Sequence, residues 1–187
     1  MTKDEEIIRL KIRVAALEKH NQLLKEELSF LKTFPTLAQG LKGEVLVAKL
    51  TGGTVTGYAV RHDVEVKTGD RLEVKYSHVN VQNATKTGRW NWYNLLGRLD
   101  KGKEYDYLVL VGDKDPRYDP QYPIDLPYVF FLVPRSDVGN IKSPSKASVA
   151  MNTNLETANA PQSKALKRHL VVSGATFKDL FTNVAAP

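Results

Sequence analysis

The stretch Asp63-Val64-Glu65-Val66-Lys67-Thr68-Gly69-Asp70-Arg71-Leu72-Glu73-Val74-Lys75-Tyr76 reads as two short strands joined by a tight turn. Lys67-Thr68-Gly69 can form a three-residue loop. With Gly69 in the left-handed conformation that such a loop requires, residue 66 pairs with residue 70. This register sets Asp63 directly across the ladder from Glu73, with both carboxylates on one face and Cβ atoms ~4.5–5.5 Å apart. Lys75, two residues further on, joins the same face. Two carboxylates that close repel unless a cation lies between them, and a hard divalent ion answers that need. A two-residue loop would instead put them on opposite faces, and an exposed strand face laced with cross-strand ion pairs is the other use of such a pattern.

Outward from the hairpin, β-rich runs fall at 54–60, 62–67, 71–79, 105–111 and 127–133. Residues 36–50 read as a helix weakened by Gly40 and Gly43 and closed at Gly52-Gly53. Between the third and fourth runs, Arg89-Trp90-Asn91-Trp92-Tyr93-Asn94-Leu95-Leu96 predicts a helix or an aromatic loop. The order is helix, three strands by hairpins, helix or loop, then two strands. It predicts an α/β domain over 35–134, built on a mixed sheet of about five strands flanked by helices.

Asp63, nine residues, then Glu73-Val74-Lys75 resembles the PD-(D/E)XK nuclease superfamily, the fold of many restriction endonucleases. The likeness spans residues 36–134 and rests on the Asp and Glu-X-Lys set within a Glu-bearing helix, a hairpin and the apolar run Tyr107-Leu108-Val109-Leu110-Val111. His62 stands where the family pattern has proline. The resemblance implies a restriction-endonuclease-like sheet and a Mg²⁺ ion, with Mn²⁺ as substitute. Asp63, Glu73 and the carbonyl of Val74 would hold that ion. Glu44, on the preceding helix, would hold a second ion or its water, and Lys75 would orient or deprotonate the attacking water. A second Glu-X-Lys, Glu65-Val66-Lys67, has no Asp between Glu44 and Asp63 to pair with, and its lysine borders the turn. The implied activity is site-specific hydrolysis of double-stranded DNA by a dimer, as in type II restriction enzymes. A structure-selective or homing-type nuclease, or a non-catalytic dimeric DNA-binding protein, are the alternatives.

Residues 1–34 form a separate arm. Positions 4–33 lack Gly and Pro, and Pro35 ends the run. Heptads place Ile7, Val14, Asn21 and Leu28 at a, and Leu10, Leu17, Leu24 and Leu31 at d. β-branched residues at a with leucine at d favour a parallel two-stranded coiled coil, and a buried Asn at a fixes its register. Glu6–Lys11, Arg13–Glu18 and Glu27–Lys32 are attractive g-to-e pairs between two such helices. The expected assembly is therefore a homodimer. Packing of this helix on its own domain is the alternative.

Composition narrows the chemistry. The 187 residues contain no cysteine, which excludes thiol nucleophiles, disulfides and thiolate zinc sites. Four scattered histidines lack metal-ligand spacing. No window approaches ~18 apolar residues, so no membrane span is expected. The acidic start Asp4-Glu5-Glu6 is unlike a signal peptide, and a cytoplasmic protein is expected. Of the formal net charge of +6, residues 135–187 carry +4. That basic segment, with Lys164, Lys167 and Arg168 clustered, is the expected DNA contact; a surface wrap is the alternative. Trp90, Trp92 and Tyr93 could stack on bases, or fill the core.

Overall fold

The structure is a computed structural model that describes residues 3–33, 35–57, 59–82, 86–98, 101–143, 147–174, 177, 179 and 181. The chain forms two compact units, Met1–Ala38 and Gln39–Pro187.

Helix α1 runs Lys3–Thr33, and α2 runs Pro35–Thr51. Proline lacks an N–H and presets φ, so Pro35 suits the first position of a new helix. On α1 the seam residues Ile7, Leu10, Val14 and Leu17 are about half exposed, at 49%, 54%, 52% and 54%. Asn21 is exposed as well. The side chains of Leu24, Leu28 and Leu31 lie outside the described ones. Among the described residues, no helix is long and apolar enough to cross a membrane.

Among the described residues the strands that follow are β1 Thr54–Val55, β2 Val64–Glu65, β3 Arg71–Ser77, β4 Asn80–Val81, β5 Gly88–Trp92, β6 Gly97–Arg98, β7 Lys101–Gly102, β8 Tyr107–Asp113, β9 Tyr128–Pro134 and β10 Val149–Asn152. Helices α3 Val138–Ile141 and α4 Pro161–Lys167 flank β10. The five-stranded sheet has the order β1-β2-β3-β8-β9. Strands β3 and β8 are parallel neighbours, with Glu73 opposite Leu108 and Lys75 opposite Leu110. All other pairs are antiparallel, which makes the sheet mixed.

Strands β8 and β9 are apolar at successive positions because both of their faces are covered. Val109, Val111 and Phe130 point into a core with Val47, Leu72 and Val74. Leu108, Leu110, Phe131 and Val133 point into the other core, with Trp90 and Trp92. A parallel step requires a long crossover. Here that crossover carries β4 and β5, which β10 from beyond β9 joins in a second, three-stranded sheet ordered β10-β5-β4. The expected helix or aromatic loop over Arg89–Leu96 is thus corrected: Gly88–Trp92 is a strand whose burial alternates, with Trp90 and Trp92 inward. The Trp90 indole N–H donates to the Asp113 carbonyl, and the Trp92 indole to that of Val111. Gly112 permits this packing, since a Cβ there would lie 2.5 Å from Trp90 Nε1. Both tryptophans are core residues, unavailable for stacking on bases; Tyr93 is 62% exposed.

The segment beyond residue 134 also builds these cores. β10 pairs with β5, aligning Met151 with Trp90. Leu166 of α4 lies in the tryptophan core, and Val171, Phe177 and Phe181 lie in the other.

Candidate active site

The hairpin turns as its spacing predicts. Val64 pairs with Leu72 and Glu65 with Arg71. Val66 N–H donates to the Asp70 carbonyl at 3.1 Å, and Gly69 N–H to that of Val66 at 2.9 Å. Gly69 takes φ +86°, a conformation in which a side chain is strained. The β2–β3 ladder then stops at Val64, one residue short of Asp63. Asp63 N–H still reaches the Leu72 carbonyl, and its own carbonyl accepts from Thr56 N–H. β3 continues to Ser77 past the end of β2, which leaves the Val74 N–H with no strand to receive it. The Asp63 carboxylate takes that role: Oδ2 accepts from Val74 N–H at 2.8 Å. The two carboxylates are therefore joined through a side chain folded over the open edge of β3, not through a direct cross-strand pair.

Glu73 is fully buried on β3. Lys75 Nζ pairs with its Oε1 and lies 4.0 Å from Asp63 Oδ2. A second ammonium, that of Lys103, lies 3.0 Å from Glu73 Oε2 and 3.5 Å from Asp63 Oδ1. Glu73 Oε2 is buried, and the Lys103 ammonium is the partner that faces it. Burial raises the Glu73 pKa, with the Asp63 charge acting in the same direction; Lys75 and Lys103 oppose them without cancelling the rise. Burial works against the Lys103 ammonium, but Glu73 and Asp63 outweigh it and its pKa is raised.

Glu44 of α2 lies within electrostatic reach of the cluster. Its pKa is raised by burial first and then by Asp63 and Glu73, against the pull of Lys75 and Lys103. The structure thus brings Asp63, Glu73, Val74 and Lys75 together, and Glu44 feels their charges. Glu65 stays apart, its side chain 59% exposed and 4.0 Å from His62 Nε2. The candidate DNA contacts lie elsewhere, on α4 and just beyond it. Lys164 and Arg168 are exposed, and Lys167 Nζ donates to the Leu155 carbonyl.

Lys103 is the site residue that sequence reasoning missed. It follows the small hairpin β6–β7, and three contacts set its place. Its N–H reaches the Leu96 carbonyl, Glu104 N–H reaches that of Arg61, and the buried Tyr105 hydroxyl donates to that of Leu95. No spacing within the Asp and Glu-X-Lys pattern points to a lysine this far downstream.

Among the described residues, no group of three or more His, Asp or Glu is placed to close on one metal ion. The donor set nevertheless suits a hard cation: carboxylate oxygens of Asp63 and Glu73, which already draw two ammonium groups to them. No protein-family model matches the chain, and neither does any curated protein.

Proposed function

We propose that the chain is a Mg²⁺-dependent endonuclease of the PD-(D/E)XK type that hydrolyses double-stranded DNA as a dimer. The observation that supports this reading is the convergence of Asp63, Glu73 and Lys75 in one cluster, with the Glu73 carboxylate fully buried. A buried acid held beside a second carboxylate costs stability, and such clusters concentrate at functional sites.

Asp63 and Glu73, with the Val74 carbonyl and Glu44, would hold the ion. Mg²⁺ there supplies a Lewis acid and lowers the pKa of a water. Lys75, at the edge of the cluster and 21% exposed, is placed to position that water and to neutralise charge on the phosphate. Glu44, whose carboxyl burial and the neighbouring Asp63 hold above its ordinary value, would be a better proton acceptor than a free carboxylate. Lys164, Lys167 and Arg168 would meet phosphates of the duplex.

The bare heptad seam of α1 supports pairing of two copies through Ile7, Leu10, Val14, Leu17, Asn21, Leu24, Leu28 and Leu31. A palindromic site suits two subunits, each cutting one strand.

The deciding experiment incubates plasmid DNA with Mg²⁺ or with EDTA. Discrete fragments only with Mg²⁺ are expected. Unbroken DNA together with retained binding would favour the non-catalytic DNA-binding alternative. Sedimentation of a chain lacking residues 1–33 should show a shift from dimer to monomer; a truncated chain that stays dimeric removes the zipper from this account.

A further inference from the structure

The carboxylate pair meets not one ammonium but two, and they are not equivalent. Lys75 shares a strand with Glu73 and pairs closely with a single oxygen, Glu73 Oε1, lying 4.0 Å from Asp63. Lys103 arrives from a separate hairpin and bridges the other two oxygens, Glu73 Oε2 at 3.0 Å and Asp63 Oδ1 at 3.5 Å. It therefore stands between the two carboxylates, where a divalent ion shared by them would be. One of its contacts is with the buried oxygen of Glu73 that Lys75 does not reach. A dication and an ammonium within a few ångströms repel strongly in a poorly solvated site, so both cannot keep that place.

We infer that Lys103 is a resident counter-cation of the metal-free site, and that a divalent ion must displace its ammonium to bind between Asp63 and Glu73. This role rests on the metal-site reading above and goes beyond it: Lys103 is a positioning residue that sets metal affinity. With Lys103 in place, two ammonium groups balance the charges of Asp63 and Glu73, and the buried carboxylate is tolerated without an ion. The hairpin that carries Lys103 is tied by backbone contacts at Leu96 and Arg61. Displacement therefore requires movement of the lysine side chain only, which is 27% exposed and has a path to solvent.

Two measurements test this. Mg²⁺ titration by calorimetry compares the wild type with Lys103→Met. Loss of the competing ammonium should tighten Mg²⁺ binding by about tenfold or more, whereas equal affinity within twofold overturns the role. Because Lys103→Met can unfold by leaving Glu73 uncompensated, the second measurement uses the wild type. An amine-reactive acetylating reagent is applied with and without Mg²⁺, and the rate at Lys103 is read by mass spectrometry. The rate should rise several-fold with Mg²⁺ as the ammonium leaves the carboxylates. Mg²⁺ uptake with an unchanged Lys103 rate overturns the displacement alone. Wild-type protein that takes up no Mg²⁺ overturns the metal-site reading beneath it.

Discussion

Asp115 and Glu73 are both buried carboxylates that face cations, yet they are held in opposite ways. Asp115 precedes the 3₁₀ turn Pro116–Gln121. Its Oδ1 accepts from the Arg117 N–H and from Arg117 Nε, and its Oδ2 from Arg117 Nη2 at 2.6 Å and Thr153 Oγ1 at 2.7 Å. Both oxygens are saturated. The Arg117 hydrogen bonds hold its carboxyl down, to a pKa of about 2. Glu73 has one oxygen paired with the Lys75 ammonium and the other with that of Lys103 at 3.0 Å, and burial raises its pKa. A planar guanidinium can satisfy a carboxylate in two places at once, whereas ammonium groups act as point charges and can be exchanged for another cation. The first arrangement locks the turn and ties it to β10; the second leaves reactive capacity in place. Burial of charge alone does not mark a site; the kind of cation that meets it matters as well.

Substitutions can break this contrast. Asp63→Ala or Glu73→Ala should lower the DNA cleavage rate by about a thousandfold or more, since either change removes half of the proposed ligand pair. Glu65→Ala should leave the rate within a few-fold. Cleavage assays under matched Mg²⁺ decide, and equal damage from Glu65→Ala would mean that the other Glu-X-Lys does the chemistry.

Asp115→Ala should act on stability. Loss of several charge-assisted hydrogen bonds between the buried carboxylate and the solvent-exposed Arg117 guanidinium should cost about 2 kcal/mol in urea denaturation. The folded fraction should cut DNA at the wild-type rate; an inactive but stably folded Asp115→Ala protein would reverse the roles assigned to the two carboxylates.

The two groups should also oppose each other in pH dependence. Asp115 titrates lower in the folded chain than its ordinary 3.8, so its stabilisation is complete above that value. About 2 kcal/mol should be lost as pH falls toward its folded pKa of about 2. Glu73 titrates higher in the folded chain, so its contribution favours the fold in acid and declines as pH rises from the ordinary Glu value of 4.5 through the raised one. Denaturation of Glu73→Gln across this range should lack that decline. A Glu73→Gln curve parallel to the wild type would show that Glu73 is not the strained partner of the pair.

Much of the site's frame is legible in the residues. The Lys67-Thr68-Gly69 loop pins the hairpin register because Gly69 alone accepts φ +86° cheaply, and that register delivers Glu73 and Lys75 to the neighbourhood of Asp63. What is not legible is how Asp63 meets them. β2 is too short to carry it in the ladder, and only the open edge of β3 draws its carboxylate to the Val74 N–H.

Helix α1 is readable from an unbroken run of helix-forming residues, and α2 from the Pro35 and Gly52 boundaries. The β2–β3 hairpin is readable from its turn. These elements close through contacts a few residues apart, so local sequence suffices for them. The strand Gly88–Trp92 was not readable in the same way. Its partner β10 comes from far downstream, and two tryptophans become core only where Gly112 and Phe131 make room and contact for them. Lys103 belongs to that second kind. A lysine on a short hairpin is an ordinary surface residue until backbone bonds to Leu96 and Arg61 deliver it to a buried carboxylate. Charge placement of this sort depends on which chain segments return to the same place, and that is decided by packing over the whole domain.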